Sequence, residues 1–273
     1  MIKSDIVITG SSGFIGTNLK NFFSKKKIKF TAYSRKKNSS FKYVKRYEQI
    51  KFKKNSSLIY LSQSNENTSS YKSEIATLKK LMIYDWKYII YFSSIKVYKN
   101  NKKKIITENN PINLNNNYSK LKINSEKIIN KKKNSICLRI SNIYGPYFNE
   151  KTLLDDILKN IYKKEAISIR NKYEFVDFLN IDDLNQLVLI LLKKEIKGIF
   201  NVAHGRSIEI EVLIKKILSI LKLKKEIISK VNKKKKIEID ISKIKKKTGW
   251  KPKKKIEEGL NEIFKKDMHF YRK

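Results

Sequence analysis

The chain begins MIKSDIVITGSSGFIG (residues 1–16), and three of its 8 glycines, Gly10, Gly13 and Gly16, follow directly on the apolar run Ile6-Val7-Ile8. Ordered glycine carries an entropic cost, so three at this spacing need a positional reason. A phosphate-binding turn between a first strand and a first helix is one; an ordinary glycine-rich turn is the other, and the motif alone leaves both open. Phe14, Ile15, Leu19, Phe22 and Phe23 follow at helical spacing, which predicts a helix over 13–25. Strand before and helix after is the context that favours the phosphate turn, because the N–H groups of the helix start can face a pyrophosphate. Gly10 then permits the tight turn, Gly13 lets the backbone approach the phosphates, and Gly16 allows close packing of helix on sheet.

Further along, strands are expected at 28–33, 57–63, 86–94 and 135–141, and helices at 70–83 and 118–130, with a polar, Asn-rich loop at 99–117. Strands alternating with helices of this length imply βαβ units, and so an α/β fold with a doubly wound parallel sheet. The second half is mixed: helices at 152–164, 184–194, 209–222 and from about 255, and strands at 166–170 and 198–203.

Composition narrows the function classes. The 273 residues suit one large domain, or one with a smaller lobe. No apolar run approaches the ~20 residues of a membrane span, and the amino terminus lacks a signal-peptide pattern, so a cytoplasmic, membrane-free protein is expected. The single cysteine, Cys137, rules out an internal disulfide and a cysteine-built metal cage. His204 and His269 have no metal-ligand partner in the pattern, so no metal is expected. Lys+Arg is 63 against Asp+Glu 25, a net +38. Such charge suits nucleic acid or an anionic membrane surface. The lysines are nevertheless spread through every segment beside abundant Asn and Ile, as compositional drift would leave them, and no nucleic-acid motif accompanies them. Runs such as 131–135 and 232–240 read as solvated helix ends and loops.

Two stretches suggest chemistry. The second strand ends TAYSRKK, where an acidic residue would hydrogen-bond a ribose 2′-OH. Arg35 stands there instead and suits a 2′-phosphate, which favours NADP over NAD. YSKLK places Tyr118 and Lys122 at i and i+4, on one helix face. An ammonium beside the phenol favours the tyrosinate and tunes it for proton transfer. YFSSIKVY ends the fourth strand, so Ser93 or Ser94 falls at the carboxyl edge of the sheet, where open α/β folds bind ligands.

Together, TGSSGFIG (9–16), LIYLSQS (58–64), YFSSIKVY (91–98), YSKLK (118–122), LRISNIYGP (138–146), DFLNIDDL (177–184), FNVAHG (200–205) and TGWKP (248–252) make the chain resemble the extended short-chain dehydrogenase/reductases, the NAD(P)-dependent epimerase/dehydratase group acting on nucleotide sugars. The resemblance implies a Rossmann-like cofactor domain over 1–142, joined by the strand at about 198–203, and a smaller substrate lobe over most of 143–273. It implies Ser94 rather than Ser93 as the catalytic hydroxyl, with Tyr118 and Lys122. Cofactor would be held by Gly10, Ser12, Gly13, Phe14, Ile15, Gly16, Arg35, Leu61, Tyr118 and Lys122, and a nucleotide-sugar substrate by Ser94, Tyr118 and Asn142. It leaves room for a homodimer.

Departures narrow the chemistry. The family's dehydratases carry Asp and Glu after the hydroxyl, where this chain has Ile95 and Lys96. Its decarboxylases use Glu at the Lys96 position, and its GDP-sugar epimerase-reductases place Cys where Ile95 stands. Val176 occupies the place of an arginine that grips the substrate nucleotide; Arg170 and Arg206 are candidate substitutes. Asp182 and Asp183 match the family, with a helix cap as the competing role. What remains is an NADPH-dependent reductase of a nucleotide-linked 4-keto-6-deoxy sugar or, with the same residues, a 4-epimerase. A non-catalytic cofactor-binding protein with a nucleic-acid-attracting surface is the third reading. A lysine stripe away from the cofactor cleft would favour it.

Overall fold

The computed structural model describes residues 4–37, 40–63, 71–99, 105–147, 152–163, 166–234 and 236–271; Ser64 and the outermost residues expected for two helices, 70 and 164, lie outside them. The first half runs β1 (Ile6–Thr9), α1 (Phe14–Lys25), β2 (Phe30–Ser34), β3 (Lys42–Tyr43), β4 (Ser57–Tyr60), α2 (Tyr71–Leu81), β5 (Tyr88–Ser94), β6 (Ile105–Ile106), α3 (Asn117–Ile129) and β7 (Ser135–Ile140); all but β3 and β6 stand where the periodicity predicts them. Then follow β8 (Asn142–Tyr144), α4 (Leu153–Lys163), β9 (Ile167–Ile169), β10 (Phe175–Val176), β11 (Phe178–Asn180), α5 (Ile181–Lys194), β12 (Gly198–Val202), β13 (Ile208–Glu209), α6 (Ile210–Leu221), β14 (Ile227–Ser229), β15 (Glu238–Ile239), α7 (Ser242–Thr248) and α8 (Ile256–Tyr271).

Seven strands form one parallel sheet in the order β12-β7-β5-β4-β1-β2-β3. Its strands are apolar on both faces because both are covered. Ile6 and Ile8 of β1, Ile59 of β4, Tyr88, Ile90 and Phe92 of β5 and Ile136 and Leu138 of β7 pack on one side with α1 and α5. The alternate residues Val7, Leu58, Tyr60, Ile89, Tyr91 and Cys137 pack on the other with α2 and the end of α3. Cys137 is thus a core residue, and burial pushes its thiol up. From β1 the chain winds outward to β2 and β3, then crosses back to β4 on the other side of β1. The carboxyl ends of β1 and β4 therefore flank the switch point, where an open sheet leaves a crevice.

A second core gathers α4, α6, α8 and the short strands: Leu154, Ile157, Ile161, Leu213, Ile214, Ile217, Leu260 and Ile263 are fully or almost fully buried there. β12 leaves this half of the chain to become the edge strand beside β7. Of the expected loop at 99–117, residues 100–104 lie outside the described residues, and the remainder holds ordered structure that its Asn-rich sequence does not announce. There β6 pairs with β15, and Ile112 bridges Tyr98 just ahead of the loop.

Candidate functional site

The glycine turn stands at the switch point. Gly10 has φ +70°, and a Cβ there would lie 2.8 Å from the Leu61 carbonyl carbon just beyond β4. Both the left-handed backbone and the close approach require glycine. Gly13 is the N-cap of α1, whose first turn holds no acidic residue. Its N-terminal N–H groups and partial positive charge suit a phosphate. At Gly16 a Cβ would meet Gly10 O at 2.6 Å and Ser11 Cα at 2.7 Å, so glycine lets the start of α1 close on its own turn. Ser12 Oγ accepts from Ser34 Oγ at 2.8 Å, tying the turn to the end of β2.

Arg35 follows β2 directly. Its guanidinium lies 5.5 Å from the centroid of the Tyr47 ring, and the Tyr47 hydroxyl accepts from Gly10 N–H at 3.1 Å. The cation is thereby brought beside the glycine turn. Sequence reasoning missed Tyr47, which lies in a short 3₁₀ turn. Asn18 was missed too. Its amide donates to Pro146 O at 2.9 Å and fastens α1 to the loop after β8.

On the other side of the switch point, β5 ends in two serines with separate duties. Ser93 is buried, and its hydroxyl donates to Glu126 Oε1 at 2.5 Å. Ser94 Oγ accepts from Lys96 N–H at 3.2 Å, capping a 3₁₀ turn over Ile95–Val97. Ser119 Oγ donates to Lys96 O at 3.1 Å, and Asn116 caps α3 through Ser119 N–H. These contacts pin the start of α3, and so Tyr118, to the turn that follows Ser94.

Lys122 lies one turn along α3, its Nζ 5.7 Å from the centroid of the Tyr118 ring. Nζ donates to the Phe92 carbonyl at 3.0 Å and to Gln63 Oε1 at 3.3 Å. Burial lowers its pKa to about 8, with Glu74 and Glu126 pulling the other way. The Tyr91 hydroxyl also donates to Gln63 Oε1, at 2.5 Å. Gln63 therefore joins the end of β4 to the lysine, a role no motif announced.

Beneath the serines lies a buried polar chain. Arg139 Nη2 and Nε hold Glu126 at 2.7 and 3.0 Å. Arg139 Nη1 donates to the Tyr98 hydroxyl at 3.1 Å, which donates to Asn201 Oδ1 at 2.5 Å. The guanidinium keeps its charge because Glu126 and Tyr98 outweigh the cost of burial.

Asn142 opens β8, two residues past Ile140, which pairs with Ser94. Its amide donates to Asp177 O at 3.1 Å. Val176 lies in β10, against Ile208 of β13. The cap expected of Asp182 or Asp183 is supplied by Asn180, whose side chain accepts from Asp182 N–H at 2.8 Å. Asp183 instead accepts from Lys253 N–H and Lys254 N–H, and Asp182 pairs with Lys254 Nζ at 2.8 Å, so both fasten the segment before α8. Arg206 and His204 line a cleft of about 920 Å³ that touches none of Ser94, Tyr118 and Lys122. Among the described residues there is no cluster of three potential metal ligands, and no helix is long and apolar enough to cross a membrane.

A parallel sheet with a glycine turn at its switch point and a Tyr–Lys pair on the facing helix defines a dinucleotide-binding α/β protein. The chain belongs to the NAD dependent epimerase/dehydratase family, whose model matches residues 6–203. It is 26% identical to the uncharacterized protein MJ1055 of Methanocaldococcus jannaschii over 95% of each chain. Its fold resembles UDP-N-acetylglucosamine 4-epimerase from Methanobrevibacter ruminantium, solved with UDP-N-acetylmuramic acid (TM-score 0.82, 19% identity, 99% of this chain and 100% of that one). It also resembles RMD from Pseudomonas aeruginosa, solved with NADPH (TM-score 0.81, 18% identity, 97% of each chain).

Proposed function

We propose that the protein is an NADPH-dependent reductase of a nucleotide-linked 4-keto-6-deoxy sugar. The placement of Arg35 carries this reading. It sits past β2 on Tyr47, whose hydroxyl accepts from the glycine turn, and a guanidinium so close to that turn supports recognition of a 2′-phosphate. A reductase consumes its cofactor and draws on NADPH, whereas an epimerase regenerates its own.

The cradle at Gly10 and Gly16 and the acid-free start of α1 fit a dinucleotide, held by the turn residues 10–16, Arg35, Leu61, Tyr118 and Lys122. When bound, the nicotinamide supplies a hydride to the carbonyl carbon. Tyr118 gives the proton to the carbonyl oxygen, and Ser94, fixed by the turn it caps, orients that oxygen. Lys122 favours the tyrosinate by its charge and binds a cofactor ribose, leaving Gln63 or Phe92 O to do so. Ile95 and Lys96 supply neither the acid nor the base of a water elimination. Residues 1–142 with β12 hold the cofactor, and most of 143–273, gathered around the second core, covers the sugar nucleotide, with Asn142 between them.

The experiment is a panel of dTDP-, CDP-, UDP- and GDP-linked 4-keto-6-deoxy sugars offered with NADPH, with the products read by NMR. A saturated alcohol at the former ketone supports the reading. Interconversion of two saturated epimers assigns the protein to the 4-epimerases instead.

A further inference from the structure

In a parallel sheet every loop that precedes a strand emerges on the same edge, opposite the carboxyl edge that holds the candidate site. Five of the segments that lead into these strands, 24–29, 51–56, 82–87, 130–134 and 193–197, the first and last taken with the end of the preceding helix, carry fourteen lysines, no arginine and two acids, and Asp5 ahead of β1 is a third acid of this edge. The lysines are thus concentrated at one edge, about twice as far in excess over acids as in the whole chain. Most are exposed. Asp5 and Glu195 are each paired with one of them, Lys53 and Lys87. From β2 to β12 the loops span five strand spacings, about 24 Å.

At the middle of this edge, the turn before β5 presents Ile83, 78% exposed, and Tyr84, 42% exposed. The tip rests on a rigid base. Tyr84 stands edge-on to Phe52 at 5.0 Å, Phe52 stacks on buried Trp86 at 4.1 Å, and Lys132 Nζ donates to Tyr84 O at 3.3 Å. A cleft of about 390 Å³ beside the start of β2 opens on the same edge and carries Lys29, Lys51 and Lys53.

We propose that this edge docks on an anionic membrane leaflet, with Ile83 and Tyr84 entering the interface and the lysines facing the headgroups. Lysines attract a diffuse negative surface as point charges; the absence of arginine removes the bidentate phosphate fork that nucleic-acid binding favours. An aliphatic side chain as exposed as Ile83 gains nothing from a phosphate backbone but is stabilised among acyl chains. In this orientation the carboxyl edge of the sheet faces away from the bilayer and stays open to a soluble substrate.

The test is co-sedimentation of the whole chain with phosphatidylserine–phosphatidylcholine vesicles, against pure phosphatidylcholine and against poly(U) RNA. Binding to the anionic vesicles alone, weakened by salt, is expected. Each lysine near the surface contributes about a fivefold factor, so K25E/K27E/K131E/K133E should lower partitioning at least ~100-fold. K72E/K224E/K230E/K233E changes the net charge equally on exposed positions elsewhere and should bind far better than the edge variant. I83N should lower vesicle binding about tenfold; this exposed position leaves the fold intact should the edge variant not fold. Equal losses in the two quadruple variants, an unchanged I83N, no binding to anionic vesicles, or tighter binding to RNA than to vesicles would each overturn the proposal.

Discussion

Replacing Lys122 by Met separates what this side chain does for chemistry from what it does to the fold. Lys122 is 7% exposed, and burial lowers its pKa from 10.5 to about 8. The folded chain therefore holds this proton less tightly than the unfolded chain does. The group subtracts from stability below pH 8, and the deficit closes as the pH rises from about 8 towards 10.5. The gap corresponds to about 3 kcal/mol at pH 7 and less than about 1 kcal/mol at pH 10. Met fills a similar volume without charge but gives up the hydrogen bonds to Gln63 and Phe92 O, each worth about 1 kcal/mol. Lys122→Met should thus be more stable than the native chain by about 1 kcal/mol at pH 7 and less stable at pH 10, a swing of about 2 kcal/mol. Urea denaturation of both proteins at the two pH values measures it. The buried tyrosines, which resist ionisation in the folded state, affect both chains alike. Turnover should fall even as stability rises. A stability difference that stays constant between pH 7 and pH 10 would refute the reasoning, since it would mean that Lys122 carries no desolvated charge.

Arg35→Asp should reverse the cofactor preference from NADP(H) to NAD(H), checked by fluorescence titration of both; an unchanged preference would place the 2′-phosphate elsewhere. Tyr118→Phe should lower turnover by ~10²–10⁴-fold while leaving cofactor affinity largely intact, because it removes the proton donor without touching the glycine turn; a fully active variant excludes the role. Arg139→Met strands the buried Glu126 carboxylate and should cost about 3–5 kcal/mol in a urea melt, with much of the loss restored by adding Glu126→Gln.

What the sequence made legible was what has a period or a fixed spacing. The alternation of Ile6, Val7 and Ile8 between two cores and the five-residue span from Tyr118 to Lys122 are local features, and the chain folds as they read. Four of the two-residue strands, β6, β10, β13 and β15, show no period because each needs a distant partner to exist. Gln63, Tyr47 and Asn18 each hold a hydrogen bond to a residue 37 or more positions away in the chain, Lys122, Gly10 and Pro146, which no window detects. Arg139 left one trace, a charge inside the apolar run SICLRIS, and that anomaly points to a buried partner. Glu126 had no such signal in a helix already rich in polar residues. The lysines look scattered along the chain because they occur in every segment; only the parallel topology gathers five of their loops on one edge.

Whether this site performs net reduction is read from the stoichiometry of NADPH. Purified protein is mixed with a limiting amount of a nucleotide-linked 4-keto-6-deoxy sugar and excess NADPH, and the loss of nicotinamide absorbance is compared with the product formed. One NADPH should be consumed for each alcohol produced. A keto sugar returned as its epimer with no loss of NADPH, or a saturated nucleotide sugar that, offered in its place, equilibrates with its epimer at catalytic cofactor levels, would be the opposite result.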